Sequence, residues 1–493
     1  MRALVVLLSC GTAALGGCTR QPTAPDTQAS SAEASEVRPA AAGRPNVVVI
    51  MSDDQTMGDM KVMSRTRGLI GGQGVTFRNS AVTYALCCPS RSTFLTGQYP
   101  HNHGVRSNLA PDGGFGAMDH GNTLALWLQE AGYVTGHIGK YLNGYGAVDM
   151  REVPPGYTEW YASIHLSAYD YYGYRMNENG KLVTYGSRPD QYQADVYTAK
   201  AVDFIRRRGP AAAAGRPFFL FVTYLAPHWG GPVEAGDPTM RTPVPAPRHK
   251  GRFAGEELPK TPAFNEADMS DKPLSMRRRP RLTAVQAAGI RASHQQRLES
   301  LLAVDEGVAA IVNALQSTGV LQNTLLIYTS DNGWFRGEHR IEWEKILPYE
   351  PAVKVPLLIR GPGVTPGRTV SAAVANVDLA PTIVAATGAR ARRTMDGRSL
   401  LPLLQGQSDW STPRHVMVED SPLGEAATVF WSIRKGKYVY TEYGNGDREL
   451  YDLAVDSAQV SSRHADPAYA QVRTRLAKRL SVMKTCRGPT ACW

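Results

Sequence analysis

The run Asn46–Met51 (NVVVIM) is apolar and β-branched without alternation, the pattern of a strand covered on both faces. It breaks off abruptly at Ser52-Asp53-Asp54. Thr324–Thr329 (TLLIYT) repeats the design and stops at Ser330-Asp331-Asn332-Gly333. Pro217–Leu225 stops at Ala226-Pro227-His228, and a weaker run, Tyr133–His137, is followed by Gly139-Lys140. Helical stretches such as Thr123–Glu130, Ala194–Arg207 and Arg297–Leu315 lie between or beside these runs. Alternation of buried strands with helices predicts an α/β fold with a large, doubly wound sheet flanked by helices. Any one Asp-Asn-Gly is an ordinary turn signal. Four polar strand ends on one edge predict a shared site, because ligands of such sheets bind at the carboxyl ends of the strands.

Asp53, Asp54, Asp331 and Asn332 offer only oxygen donors. That set suits a hard cation such as Ca2+ or Mg2+ better than zinc, and neither HExxH nor CxxC is present. Packed carboxylates would repel one another unless a cation stood between them.

The chain of 493 residues carries 54 Lys and Arg against 44 Asp and Glu, a formal charge of +10. It is 43% hydrophobic and 20% charged, which excludes disordered and fibrous classes. Six cysteines are too few for a disulfide scaffold in a chain this long. The basic balance points to anionic partners of some kind. Residues 1–17 have the form of an export signal, with Arg2, an apolar run and small residues. Leu15-Gly16-Gly17-Cys18 resembles a bacterial lipobox, which predicts a lipid on Cys18 and a membrane contact through it. Cleavage there takes away Arg2 alone, so +10 becomes +9. The expected location is therefore the outer face of the cell membrane, or the medium after release. Residues 18–45, rich in Ala, Ser, Pro, Thr and Gln, read as a flexible tether. Arg277-Arg278-Arg279-Pro280-Arg281 reads as a solvated loop, with docking of an anionic polymer as the alternative.

Cys87-Cys88-Pro89-Ser90-Arg91 precedes Leu95-Thr96-Gly97. Pro89 fits the first turn of a helix, whose free N–H groups favour anions. Adjacent cysteines make poor disulfide partners, and free thiols are unusual in exported proteins. The string C-x-P-S-R-x-x-x-L-T-G resembles the signature of the sulfatase family. The resemblance extends in order through Asp53-Asp54, Gly139-Lys140, Ala226-Pro227-His228, Asp331-Asn332-Gly333 and Lys345. Gln98–His103, Gly139–Gly146, Pro155–Tyr161 and Lys354–Leu358 resemble the subgroup acting on 6-sulfated N-acetylglucosamine, including the extracellular heparan endosulfatases.

The resemblance implies the alkaline-phosphatase-like fold and a sulfuric ester hydrolase. It implies conversion of Cys87 to formylglycine (3-oxoalanine) by a formylglycine-generating enzyme. It implies a divalent cation, Ca2+ rather than Mg2+, held by Asp53, Asp54, residue 87, Asp331 and Asn332. The hydrated aldehyde would attack sulfur through one hydroxyl and expel sulfate with the help of the other. Arg91, Lys140 and Lys345 would hold sulfate oxygens, and His228 would protonate the leaving alcohol. The expected substrate is a sulfated carbohydrate and not a nucleic acid. Where many arylsulfatases carry a His two residues after the active-site Lys, this chain has Leu142, followed by Asn143. His101, His103 and His339 are weaker candidates. Alternatives are an arylsulfatase, a phosphodiester or phosphonate monoester hydrolase of the same fold, and a catalytically dead binding lipoprotein. Trp160, Tyr161, Tyr169, Tyr171, Tyr172 and Tyr174 could meet a sugar ring or fill a core.

These readings divide the chain into a signal (1–17), a tether (18–45), a catalytic domain (46–409) and a small C-terminal subdomain (410–493). In the last, Phe430–Ile433, Lys437–Tyr443 and Glu449–Leu453 read as strands and Ala468–Met483 as a helix. The resemblance implies an antiparallel sheet with a packed helix. Cys486 and Cys492 are expected to pair.

Overall fold

The computed structural model describes residues 43–412, 414–420 and 429–493. The expected signal, Cys18 and residues 18–42 of the tether lie outside them. Among the described residues no helix is long and apolar enough to cross a membrane.

Ten strands form one mixed sheet. In chain order they are β1 (Asn46–Ser52), β2 (Val75–Phe77), β3 (Val134–Gly139), β4 (Glu159–Ser163), β5 (Arg175–Glu178), β6 (Lys181–Thr184), β7 (Phe218–Thr223), β8 (Thr324–Ser330), β9 (Leu357–Arg360) and β10 (Arg368–Val370). Their spatial order is β10-β2-β9-β8-β1-β7-β3-β4-β5-β6. The central strands β8, β1, β7, β3 and β4 run parallel; β9 and the β5–β6 hairpin are antiparallel additions. The α/β architecture with a large mixed sheet is the one the sequence predicts. The unforeseen strands are mostly three or four residues long, too short to show a period.

All of β1 is buried, and its side chains divide between two cores. Val48 and Ile50 pack with helices α2 (Gln193–Ala213) and α3 (Ala284–Ser317). Val47, Val49 and Met51 pack on the other face with Phe94 of α1 (Cys87–Thr96), Leu124 and Ile383. Burial on both faces explains the unbroken β-branched run. α2 and α3 are longer than the predicted segments. Thr283 caps α3 by accepting from the Gln286 amide, well before the apolar stretch that marked the helix.

Register then fixes the edge. Ser52 lies opposite Ser330, Met51 opposite Thr223, and Gly139 opposite Thr223 on its other side. Asp53-Asp54, Asp331-Asn332, Lys140 and the Ala226–His228 turn therefore emerge together.

The region Glu159–Thr184 adds three strands beyond β3. Trp160, Tyr171 and Tyr174 are core residues there, while Tyr161, Tyr169 and Tyr172 pack against it partly buried. A second, four-stranded antiparallel sheet joins Val416–Glu419, Phe430–Lys435, Tyr438–Tyr443 and Arg448–Asp452 in that order. Helix α4 (Ala470–Met483) packs on it through Leu476, Leu480 and Met483. Their core continues into Val82, Tyr99, Phe335 and Tyr349. Cys486 and Cys492 are disulfide-bonded. Arg277, Arg278 and Arg281 of the basic run are exposed.

Gly139 holds φ at +109°, and a Cβ there would lie 2.0 Å from the Thr223 carbonyl oxygen. That carbonyl accepts from the Lys140 amide at 3.1 Å, so the glycine lets β3 approach β7 where Lys140 leaves the sheet. Gly139→Ala should lower stability by about 1–3 kcal/mol. Urea unfolding checks this, and an unchanged midpoint would contradict it.

Candidate active site

Leu86 is extended and Cys87 is the first residue of α1, with Pro89 in the first turn. The helix is pinned across the sheet edge. Ser90 Oγ donates to the Asp331 carbonyl, and Asn376 Nδ2 donates to Ser90 Oγ at 2.9 Å. Cys87 Sγ therefore sits over the ends of β1 and β8. Its polar neighbours are Lys345 Nζ at 2.9 Å, Asp53 Oδ1 at 3.5 Å and Lys140 Nζ at 3.7 Å.

Arg91, one helical turn on, points the same way. Its Nε donates to Asp331 Oδ2 at 2.8 Å and its Nη2 to Asp53 Oδ2 at 3.1 Å. Lys140 also pairs with Asp53, and Lys345 with Asp54. Asp331 Oδ1 accepts the amides of Asp54 at 3.1 Å and Asn332 at 2.8 Å. Asn332 Nδ2 donates to Asp54 Oδ1 at 2.6 Å. His228 Nε2 is 3.5 Å from Asp54 Oδ2, and its Nδ1 lies 2.6 Å from the Trp229 carbonyl. The nine residues Asp53, Asp54, Cys87, Arg91, Lys140, His228, Asp331, Asn332 and Lys345 converge, and each is buried.

Burial alone would raise the Asp53 carboxyl. The charges of Lys140, His228, Arg91 and Lys345 outweigh it and hold the group well below the usual carboxylate range. Asp54 and Asp331 go the other way: burial, joined by the charge of Asp53, raises both against the pull of Lys345 on Asp54 and of Arg91 on Asp331. Burial and Asp53 push the Cys87 thiol up to about 12, despite the two lysines. Burial lowers His228 well below its ordinary value, although Asp53 opposes it.

The residues present fit a cation. Donor atoms of Asp53, Asp54, Cys87 and His228 lie within 4.8 Å of one another. Asp54 Oδ2 and Asn332 Oδ1 are buried oxygens without a hydrogen-bond partner. Such orphaned acceptors are costly unless something positive meets them.

Of three further contributors, Arg297 carries no sequence signal, while Tyr169 and Tyr171 belong to the aromatic segment that could meet a sugar or fill a core. Arg297, inside α3, donates to the carbonyls of Pro227 at 2.9 Å and of Asp54. Tyr171 Oη donates to the His228 carbonyl at 2.7 Å. Tyr169 lays its ring over Lys140 Nζ at 4.6 Å and beside His228 at 5.2 Å. Leu142 is in the core, and Asn143 Nδ2 donates to Tyr169 Oη at 2.5 Å. The weaker histidines serve the scaffold. His101 bonds Glu419 at 2.9 Å, His103 bonds Thr93 at 3.1 Å and His339 bonds Glu266 at 2.6 Å.

Comparison with known proteins agrees with this geometry. The Sulfatase family model matches residues 45–389, and that for N-sulphoglucosamine sulphohydrolase, C-terminal, matches residues 337–485. The chain belongs to the sulfatase family. It is 32% identical to human N-acetylglucosamine-6-sulfatase over 91% of this chain and 86% of that protein. It is equally 32% identical to an arylsulfatase of Volvox carteri, over 91% of this chain and 76% of the other. A solved structure of a protein in complex with its substrate D-glucosamine-2-N,6-O-disulfate superposes with a TM-score of 0.71, covering 90% of this chain and 98% of that one. At 24% identity that likeness speaks to the fold. The protein is thus a sulfuric ester hydrolase by family.

Among the described residues Arg91 alone pairs with both Asp53 and Asp331, clasping them. Arg91→Ala would leave two buried carboxylates short of a partner, so it should cost about 3–5 kcal/mol. Chemical denaturation checks this; a loss below about 1 kcal/mol, the scale of an exposed pair, would refute the clasp.

Proposed function

We propose that the protein removes sulfate from a sulfated amino sugar, the 6-O-sulfate of N-acetylglucosamine or glucosamine. The observation that carries this reading is Cys87, buried at the start of a helix between two lysines and the carboxylates of two strand ends. The 32% identity to N-acetylglucosamine-6-sulfatase across nearly the whole chain supports the choice of sugar.

In this reading Cys87 is matured to formylglycine by a formylglycine-generating enzyme. The hydrated aldehyde supplies two hydroxyls on one carbon, one to attack sulfur and one to expel sulfate afterwards, which a serine could not do. Asp53, Asp54, Asp331 and Asn332, with residue 87, would hold the cation, Ca2+ in preference to Mg2+. The cation would supply positive charge against the sulfate oxygens. Lys140 and Lys345 flank residue 87 on the side where sulfate must sit, and offset charge that builds in the transition state. His228, held by Tyr171 through its carbonyl and by the Trp229 carbonyl through its ring, would give a proton to the leaving sugar oxygen once the negative charge of the bound sulfate ester offsets the burial that otherwise keeps its imidazole neutral. Tyr169 and Trp229 stack at 5.6 Å beside His228, with Lys140 over the first ring and Arg241 over the second, and their edges border the space a sugar would enter. Export, with a lipid on Cys18, would place the enzyme where sulfated polysaccharides are met.

The arylsulfatase of equal identity favours a second reading, hydrolysis of aryl sulfates. Side-by-side kcat/KM values on 6-sulfated N-acetylglucosamine, an aryl sulfate and an aryl phosphate diester test the choice. The sugar sulfate should be the fastest of the three. A faster phosphate diester would overturn the sulfatase reading, and a faster aryl sulfate would overturn the sugar.

A further inference from the structure

A cavity of about 500 Å3 opens between the C-terminal sheet, α4 and the segments around Asn79 and Ser371–Ala373. It shares no lining residue with the site around Cys87. Its volume falls in the range of small-ligand sites, about 300–1,000 Å3. Arg414, Lys435, Lys437, Arg475 and Arg479 line it, against one lining carboxylate, Asp409. Lys437 is answered from outside the lining by Asp452 at 2.8 Å.

Arg414 distinguishes this cavity from an ordinary basic surface. It is 5% exposed; among the described residues only its Nη2 finds an acceptor, Asp378 Oδ1 at 2.8 Å, while the rings of Trp493 and Trp410 lie against the guanidinium at 4.5 and 5.6 Å. Its Nε and Nη1 are buried without a partner, as is Nδ1 of the neighbouring His415. Unmet guanidinium donors in a buried position are expensive, and an incoming anion would satisfy them. The surrounding field is positive: burial with the charges of Lys435 and Arg479 pushes the His415 imidazole down to about 4. Trp410 stands at the wall with its indole fixed by a hydrogen bond to the Ala373 carbonyl at 2.8 Å. A fixed aromatic face beside several cations fits a ring that carries anionic groups.

We infer that this cavity is a second, non-catalytic binding site for a sulfated oligosaccharide. It would hold one stretch of a polyanionic chain while another is presented to residue 87. The choice of ligand rests on the sugar-sulfate reading above; the anion site itself rests on Arg414 and its neighbours.

Lys435 and Arg475 are both exposed, so their reversal leaves the core untouched. Calorimetric titration of the full chain with a sulfated glucosamine-containing oligosaccharide compares wild type with Lys435→Glu/Arg475→Glu. The double variant should bind about tenfold more weakly, a loss of about 1.4 kcal/mol. Its kcat/KM on the 6-sulfated monosaccharide should be unchanged. Equal affinity in both proteins would overturn the proposal. So would equal binding of the same oligosaccharide after chemical desulfation. Loss of binding in the variant, with no turnover of sugar sulfates by wild type, would sink the substrate reading and leave the site standing.

Discussion

Carboxylates and cations share a buried pocket at the carboxyl edge of the sheet, and neither set is tolerable there without the other. Asp53 is met by Arg91 and Lys140, Asp331 by Arg91, and Asp54 by Lys345. Removing a charged group from water costs several kcal/mol unless close partners answer it. Every element that enters the pocket is therefore held twice, once by its apolar core and once by charge. The pairing of Ser52 with Ser330 sets where Asp53 and Asp331 leave the sheet side by side. Arg91 then bridges the two from a helix that Ser90, Asn376 and the core packing of Phe94 already hold over the strand ends.

The parts of this arrangement that were legible in the sequence were those with local causes. Unbroken β-branched runs mark doubly covered strands, and their abrupt polar ends mark an edge. A proline in the first turn marks a helix that starts near Cys87. Arg297 was illegible because its role depends on where α3 passes the Ala226–His228 turn, and its neighbours in sequence only show that it is helical. Tyr169 and Tyr171 were ambiguous for a related reason. An aromatic-rich segment can fill a core or line a site, and here it does both: Trp160 and Tyr174 pack the sheet while Tyr169 reaches Lys140. The strand Val416–Glu419 was missed because four residues show no period. Leu142 was the informative departure: it packs in the core, and a leucine has no proton to transfer.

The two cationic regions of the molecule differ in what answers their charge. Around Cys87 the carboxylates of the same chain meet the lysines and arginine, and the buried oxygens left without a hydrogen-bond partner there are Asp54 Oδ2 and Asn332 Oδ1, with Arg297 Nε as an unpartnered donor behind them. In the cavity against α4 the orphans are donors on Arg414. The donor set around Cys87 fits a cation, and the basic lining of the cavity against α4 fits the anion proposed for it.

The central claim is that residue 87 is the nucleophile in an oxidised form, set among charges that the sheet edge assembles. Peptide mass spectrometry of turnover-competent protein, made in an exporting host that carries formylglycine-forming machinery, addresses it directly. The account predicts that the peptide spanning Cys87 carries the aldehyde or its hydrate. Active protein in which that peptide is an unmodified cysteine would contradict it.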